Sequence, residues 1–175
     1  MNTSVRFTSL GYQLVVDPQN IDSYVFEKNI SASRSLRKGE DTEGVCKRLE
    51  ESLNMWRGAA YSGLTQNPTL SSESERLELL RINTVEALAD RYLSLRRPDL
   101  TASHLAVEVR KYPLREHLIG RFMKALYHLG RQAEAFDVYE QTRIQLRSDF
   151  GVQPSESLRE IHQAILKQDL NFPSP

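Results

Sequence analysis

The chain has 175 residues, and 23 Lys and Arg balance 23 Asp and Glu, so its formal net charge is zero. A mean hydropathy of -0.50 and 39% hydrophobic residues predict a soluble globular protein of about one domain, with no run near the ~18 apolar residues of a membrane span. The total charge argues against a strongly basic polyanion binder, and a single cysteine, Cys46, excludes an internal disulfide.

Residues 1–10 are polar and lack the apolar stretch of a secretory signal, so the cytoplasm is the expected compartment. Residues 7–16 read as a strand-like head, with Tyr12, Leu14 and Val16 on one side and Gly11 marking a turn, stopping at Asp17-Pro18. One or two short strands are not an independent sheet, so the head reads as a remnant. From Asp22 the apolar period becomes helical. A first helix carries Phe26, Ile30, Ser33 and Leu36 and ends near Lys38-Gly39; a second opens at Asp41, carries Val45, Leu49, Leu53 and Trp56, and stops at Gly58. Cys46, beside Val45 on that stripe, reads as a buried thiol.

Residues 59–70 contain Gly63, Asn67 and Pro68 and read as a loop. Ser72 and Glu75 form a capping-box pattern that opens a helix of about 25 residues, about 37 Å long, with Leu77, Leu80, Thr84, Leu88, Arg91 and Leu95 on its stripe. Helices are then expected over Asp99–Lys111, over Leu114–Leu129 with Leu118, Phe122, Ala125 and Leu126, and over Gln132–Asp149 with Ala135, Tyr139, Thr142 and Leu146. Gly151 and Pro154 end that helix. A last helix over Ser155–Lys167 carries Leu158, Ile161 and Ile165, ahead of a frayed tail.

A weak repeat underlies these helices. Gly130 at a corner, Ala135 five residues on and Tyr139 four beyond fit the tetratricopeptide pattern, in which a small residue lets paired helices approach. Ala102, 33 residues before Ala135, and Ala106 in the place of Tyr139 suggest a looser copy. The expected fold is all-α: a TPR-like stack of about seven helices with a short N-terminal β remnant.

The candidate chemical groups are weak. His117 and His128 share a helix face but stand about 16 Å apart, too far for one metal ion, and His104 and His162 lie elsewhere. Glu50, Glu51, Glu73, Glu75 and Glu78 occupy first-turn or exposed helix positions. No Gly-rich phosphate loop, nucleophile elbow or metal-ligand cluster interrupts the helices, so no catalytic residue, metal or cofactor is assigned and an enzyme is not expected. Trp56 and Tyr139 read as core plugs before they read as binding anchors. Charge by segment is uneven: +2 over 1–39, -4 over 40–95, +4 over 96–147 and -2 over 148–175. Within the positive block, Arg110, Lys111, Arg115, Arg121 and Lys124 are the candidate polar contact face. Trp56, Leu114, Tyr127, Gly130, Ala135 and Tyr139 are the candidate framework.

Several strings, in their order and spacing, resemble one family. They are Thr8 with Gly11-Tyr12-Gln13-Leu14; Asp22 and Phe26; Leu53-Asn54-Met55-Trp56-Arg57-Gly58; Glu75-Arg76-Leu77; and Tyr112-Pro113-Leu114-Arg115-Glu116. Met123-Lys124-Ala125-Leu126-Tyr127, Gly130 through Ala135, Tyr139, Phe150-Gly151-Val152-Gln153-Pro154, Leu158 and Ile165-Leu166 complete the set, from about Phe7 to Asp169. They resemble the bacterial transcriptional activator domain of the Streptomyces antibiotic regulatory proteins and related actinobacterial regulators.

The resemblance implies that 1–17 is the remnant of the last hairpin of an OmpR-type winged-helix domain, 18–169 the activator domain and 170–175 a tail. It implies a transcription-activator module working by protein contacts, with RNA polymerase or a second copy as partner and no membrane. DNA would be reached only through a winged helix largely absent from this chain, which alone is not expected to read an operator. A peptide- or small-molecule-binding TPR-like adaptor unrelated to transcription is the alternative.

Overall fold

The computed structural model describes residues 4–9, 11–35, 41–64 and 66–168. Two units divide the chain, Met1–Thr84 and Val85–Pro175. In the first, β1 (Ser4–Thr8) and β2 (Gly11–Val15) pair antiparallel, Val5 opposite Leu14 and Phe7 opposite Tyr12. The strand-like head expected over 7–16 thus divides between the end of β1 and the whole of β2, which Gly11 opens. Directly opposed residues share a sheet face, so Val5, Phe7, Tyr12 and Leu14 lie together, each between 59% and 82% exposed. The Phe7 and Tyr12 rings meet edge to face at 5.5 Å.

One 3-10 turn, Pro18–Asn20, is capped by the Asp17 carboxylate, which accepts from the Gln19 N–H at 2.9 Å, and leads into α1 (Asp22–Ser35). Phe26, Ile30 and Ser33 are buried as the stripe predicts, and the Ser33 hydroxyl donates to the Asn29 carbonyl. Leu36 and the expected helix end at Lys38-Gly39 lie outside the described residues. Asp41 caps α2 (Thr42–Leu53) by accepting from the Gly44 N–H at 3.1 Å, and Val45, Cys46 and Leu49 are buried. The helix stops before Trp56. The N–H groups of Met55 and Trp56 turn to the carbonyls of Ser52 and Leu53, a tightening that ends the α-helical ladder three residues before the expected Trp56 position.

The next helix, α3 (Pro68–Ser94), starts ahead of the expected Ser72 cap. Asn67 is the cap: its side-chain oxygen accepts from the N–H groups of Thr69 (3.0 Å) and Leu70 (3.4 Å), with Pro68 at the first helical position, where its missing N–H costs nothing. Asn-Pro, read as loop chemistry, is equally helix-start chemistry. Residues of α3 through Thr84 belong to the first unit and those from Val85 to the second.

The second unit adds α4 (Pro98–Lys111), α5 (Glu116–His128), α6 (Gln132–Phe150) and α7 (Glu156–Leu166). Its centre is α5, which packs against α4, α6 and α7 and buries Leu118, Ile119, Phe122, Met123, Ala125, Leu126 and Tyr127. It begins two residues later than expected because Tyr112–Arg115 close a turn, the Arg115 N–H donating to the Tyr112 carbonyl. At Gly120 a side chain would meet Ile161 Cδ1 at 2.7 Å, which marks how closely α5 and α7 approach.

Two corners share one geometry. Past α3, Arg96 takes a left-handed φ of 56°, its N–H bonds to Leu93 and the Arg97 N–H reaches back to Tyr92 at 2.8 Å. Past α5, Gly130 takes φ 74°, its N–H bonds to Tyr127 and the Arg131 N–H reaches Leu126 at 2.8 Å. Both are Schellman closures, 34 residues apart. Aligning them corrects the expected repeat by one position: Thr101, not Ala102, corresponds to Ala135, and Leu105, not Ala106, to Tyr139. Thr101, Leu105 and Ala135 are fully buried, whereas Ala106 is half-buried. Thr is tolerated at this buried position because its hydroxyl donates to the carbonyls of Arg97 and Ala89.

Candidate functional site

The five basic residues of the expected contact face occupy two environments. Arg110 and Lys111 lie exposed in the last turn of α4, where cations suit the negative helix end. The Arg110 Nε donates to the Ala106 carbonyl, and the Lys111 ammonium stands 5.1 Å from the Tyr112 ring. Arg115 and Arg121 instead face the second half of α3. Arg115 Nε donates to Glu86 at 2.6 Å; Arg121 forms two parallel bonds to the Asp90 carboxylate, 2.8 and 2.7 Å, and also donates to the His117 carbonyl. Arg121 lies 3.8 Å from Glu86, which thereby lies between two arginines. Lys124 is half-buried beside this network; desolvation pushes its ammonium below the usual range, Asp90 opposes that and Arg121 adds to it. Nothing in the local sequence separates these environments, because Glu86 and Asp90 are 29 and 31 residues from their arginines.

The framework residues distribute as follows. Ala135, Tyr127 and Tyr139 are buried, Leu114 is half-buried, and Gly130 holds the corner. Trp56 is half-buried: Phe26 meets its ring edge to face at 5.4 Å, and the Arg81 guanidinium lies 5.8 Å from it. Its exposed side borders a cavity of about 570 Å³ whose walls include Phe26, Met55, Tyr61 and Leu77, with Asp22 and Arg57 among the lining residues. Apolar periodicity missed this cavity because Met55, Arg57 and Tyr61 lie on irregular chain beyond α2.

The histidines are accounted for mostly by rings. His104 stacks on Tyr92, His128 tilts against Tyr127 and His162 lies parallel to Tyr139. Among the described residues no group of three or more His, Cys, Asp or Glu is placed to hold a metal ion. The acidic residues of α3 pair locally: Glu73 with Arg76, whose hydrogen bonds hold the carboxyl below its ordinary range, and Glu78 with Arg81. No described helix is long and apolar enough to cross a membrane.

Helical hairpins joined by Schellman corners at a 34-residue spacing define an all-α, TPR-like protein whose conspicuous surfaces are charged helix ends and one aromatic cavity. A family model described as the bacterial transcriptional activator domain matches residues 21–166. The chain belongs to that family. It is 31% identical over 159 residues to the regulatory protein DnrI of Streptomyces peucetius, covering 91% of this chain and 58% of that protein. It is 34% identical over 167 residues to the transcriptional regulator RedD of Streptomyces coelicolor, covering 94% and 47%. The chain thus spans about half the length of these curated relatives. A solved structure of EmbR of Mycobacterium tuberculosis, in complex with a low affinity phosphopeptide, superposes with a TM-score of 0.82 at 22% identity, over 98% of this chain and 44% of that one.

Proposed function

We propose that this chain is the protein-contact module of a transcriptional regulator. The observation that carries the reading is its alignment, over more than nine-tenths of its length, with proteins named as regulators. The surface chemistry supports it, since exposed cations at a helix end suit an acidic protein face, and the relatives are named as regulators and not as enzymes. The hairpin of β1 and β2 is the end of a winged-helix domain, through which the regulator reaches DNA. Its apolar face, unsupported by the helices, supports that assignment. The module acts on RNA polymerase or on a second copy of itself, in the cytoplasm.

Within the candidate basic set, Arg110 and Lys111 carry the partner contact, while Arg115, Arg121 and Lys124 hold α5 against α3. Charge reversal of Arg110 and Lys111 is expected to lower polymerase or self-association in pull-down and promoter activation severalfold, with helicity unchanged, because rim charges govern encounter and register. Unchanged association and activation by a folded variant would remove this face from the mechanism.

A further inference from the structure

We infer that the aromatic cavity beside Trp56 binds a free apolar α-amino acid. At about 570 Å³ it falls within the size range of small-molecule sites, and Phe26, Met55, Trp56, Tyr61 and Leu77 offer an apolar, largely aromatic wall. The Trp56 ring is already oriented by Phe26 and Arg81, so an occupant does not have to order it.

The charged part of the lining selects the ligand class. Asp22 and Arg57 stand 3.7 Å apart, beyond hydrogen-bond distance, with side chains 67% and 87% exposed. An exposed ion pair of this kind is weak and opens at little cost. A monocarboxylate approaching Arg57 meets the Asp22 carboxylate, and an amine approaching Asp22 meets the Arg57 guanidinium. A zwitterion answers both charges, its ammonium donating to Asp22 and its carboxylate accepting from Arg57, while its side chain enters the cavity. A residue within a peptide carries neither charge, and a peptide terminus carries one.

The cavity wall at Ile21, Asp22 and Ser23 directly follows the Pro18–Asn20 turn that joins the hairpin to α1. Resting on the regulator reading above, an amino acid bound here is an effector that stiffens the joint between the DNA-binding hairpin and the helical body.

Trp56 is the only tryptophan of the chain, so its emission reports occupancy directly. Titration with L-phenylalanine is expected to give a saturable change in Trp56 fluorescence and a raised melting temperature. N-acetyl-L-phenylalanine and L-phenylalaninamide, each lacking one charge, are expected to bind about tenfold more weakly. Arg57→Gln should abolish the preference over the amide, and Asp22→Asn the preference over the acetyl derivative. No saturable response in the folded chain, or equal affinity for all three compounds, overturns the proposal. Binding is read without DNA or polymerase, so its failure leaves the regulator reading standing. Binding without any effect on promoter activation overturns the effector role alone.

Discussion

His162 lies on Tyr139 with ring centroids 3.9 Å apart and planes within 4°, and Phe136 meets its edge at 5.6 Å. Burial pushes this imidazole below its usual range, with the Glu140 carboxylate pulling the other way. The imidazole of His128 is lowered too, first by burial and then by Arg96 and Lys124. Both groups therefore take up a proton in the unfolded chain before they do so in the folded one. Their contribution to stability is complete above the unfolded imidazole pKa of about 6.5 and is lost as pH falls through the folded value. Melting temperature is expected to drop between about pH 7.5 and about pH 5.5. His162→Phe, which keeps a ring against Tyr139, should flatten part of that slope. A slope unchanged in the variant, measured by thermal scans across this range, would remove His162 as a cause.

At the scale of elements, the two Schellman corners provide an internal comparison. Gly130 adopts a left-handed φ without a side-chain clash, while Arg96 holds φ 56° with a Cβ opposed to the carbonyl that follows. Arg96→Gly is expected to stabilise the α3–α4 corner by about 1 kcal/mol, less the entropy a glycine adds to the unfolded chain. In a chain of this size that raises the melting temperature by about 2–4 °C at most, readable by calorimetry. A lower melting temperature would show that the Arg96 side chain contributes more than its backbone strain costs. The corner also shows why the repeat was legible only in part. Gly130, Ala135 and Tyr139 match a known spacing, but the preceding copy uses Arg96, Thr101 and Leu105, which match by geometry and burial and not by residue type. The helix ends behaved similarly. Asp41 and Ser155, where helices were expected to begin, do cap them, whereas Asn67-Pro68 reads as loop by composition and is shown to be a cap by the bonds to Thr69 and Leu70.

For the whole molecule, zero net charge is a cancellation between segments. Much of the positive block is answered inside the second unit, Arg115 and Arg121 by the acids of α3, while Arg110 and Lys111 at the α4 end are among its exposed cations. The hairpin is the opposite case, an apolar face with no cover among the described helices. Because Phe7 and Tyr12 are 76% and 82% exposed, replacing both by Thr is expected to change the unfolding free energy of the helical body by less than about 0.5 kcal/mol. Urea unfolding followed at Trp56 measures this. A larger loss would mean that the hairpin supports the helices and is not the end of a separate domain.

The sequence by itself determined the helix count, most of the buried stripe and the family, because apolar periodicity, capping residues and turn glycines act over a few residues. Phe26, Val45, Leu118, Ala135 and Ile161 were all readable as core in this way. Tertiary structure alone decided which basic residues face solvent and where a ligand-sized cavity lies. Arg115 is half-buried against a carboxylate 29 residues away in sequence while Arg110 stays exposed at the end of α4, and the Trp56 cavity is assembled from α1, α3 and an irregular segment. Long-range contacts of this kind follow from how helices pack, which local pattern does not specify.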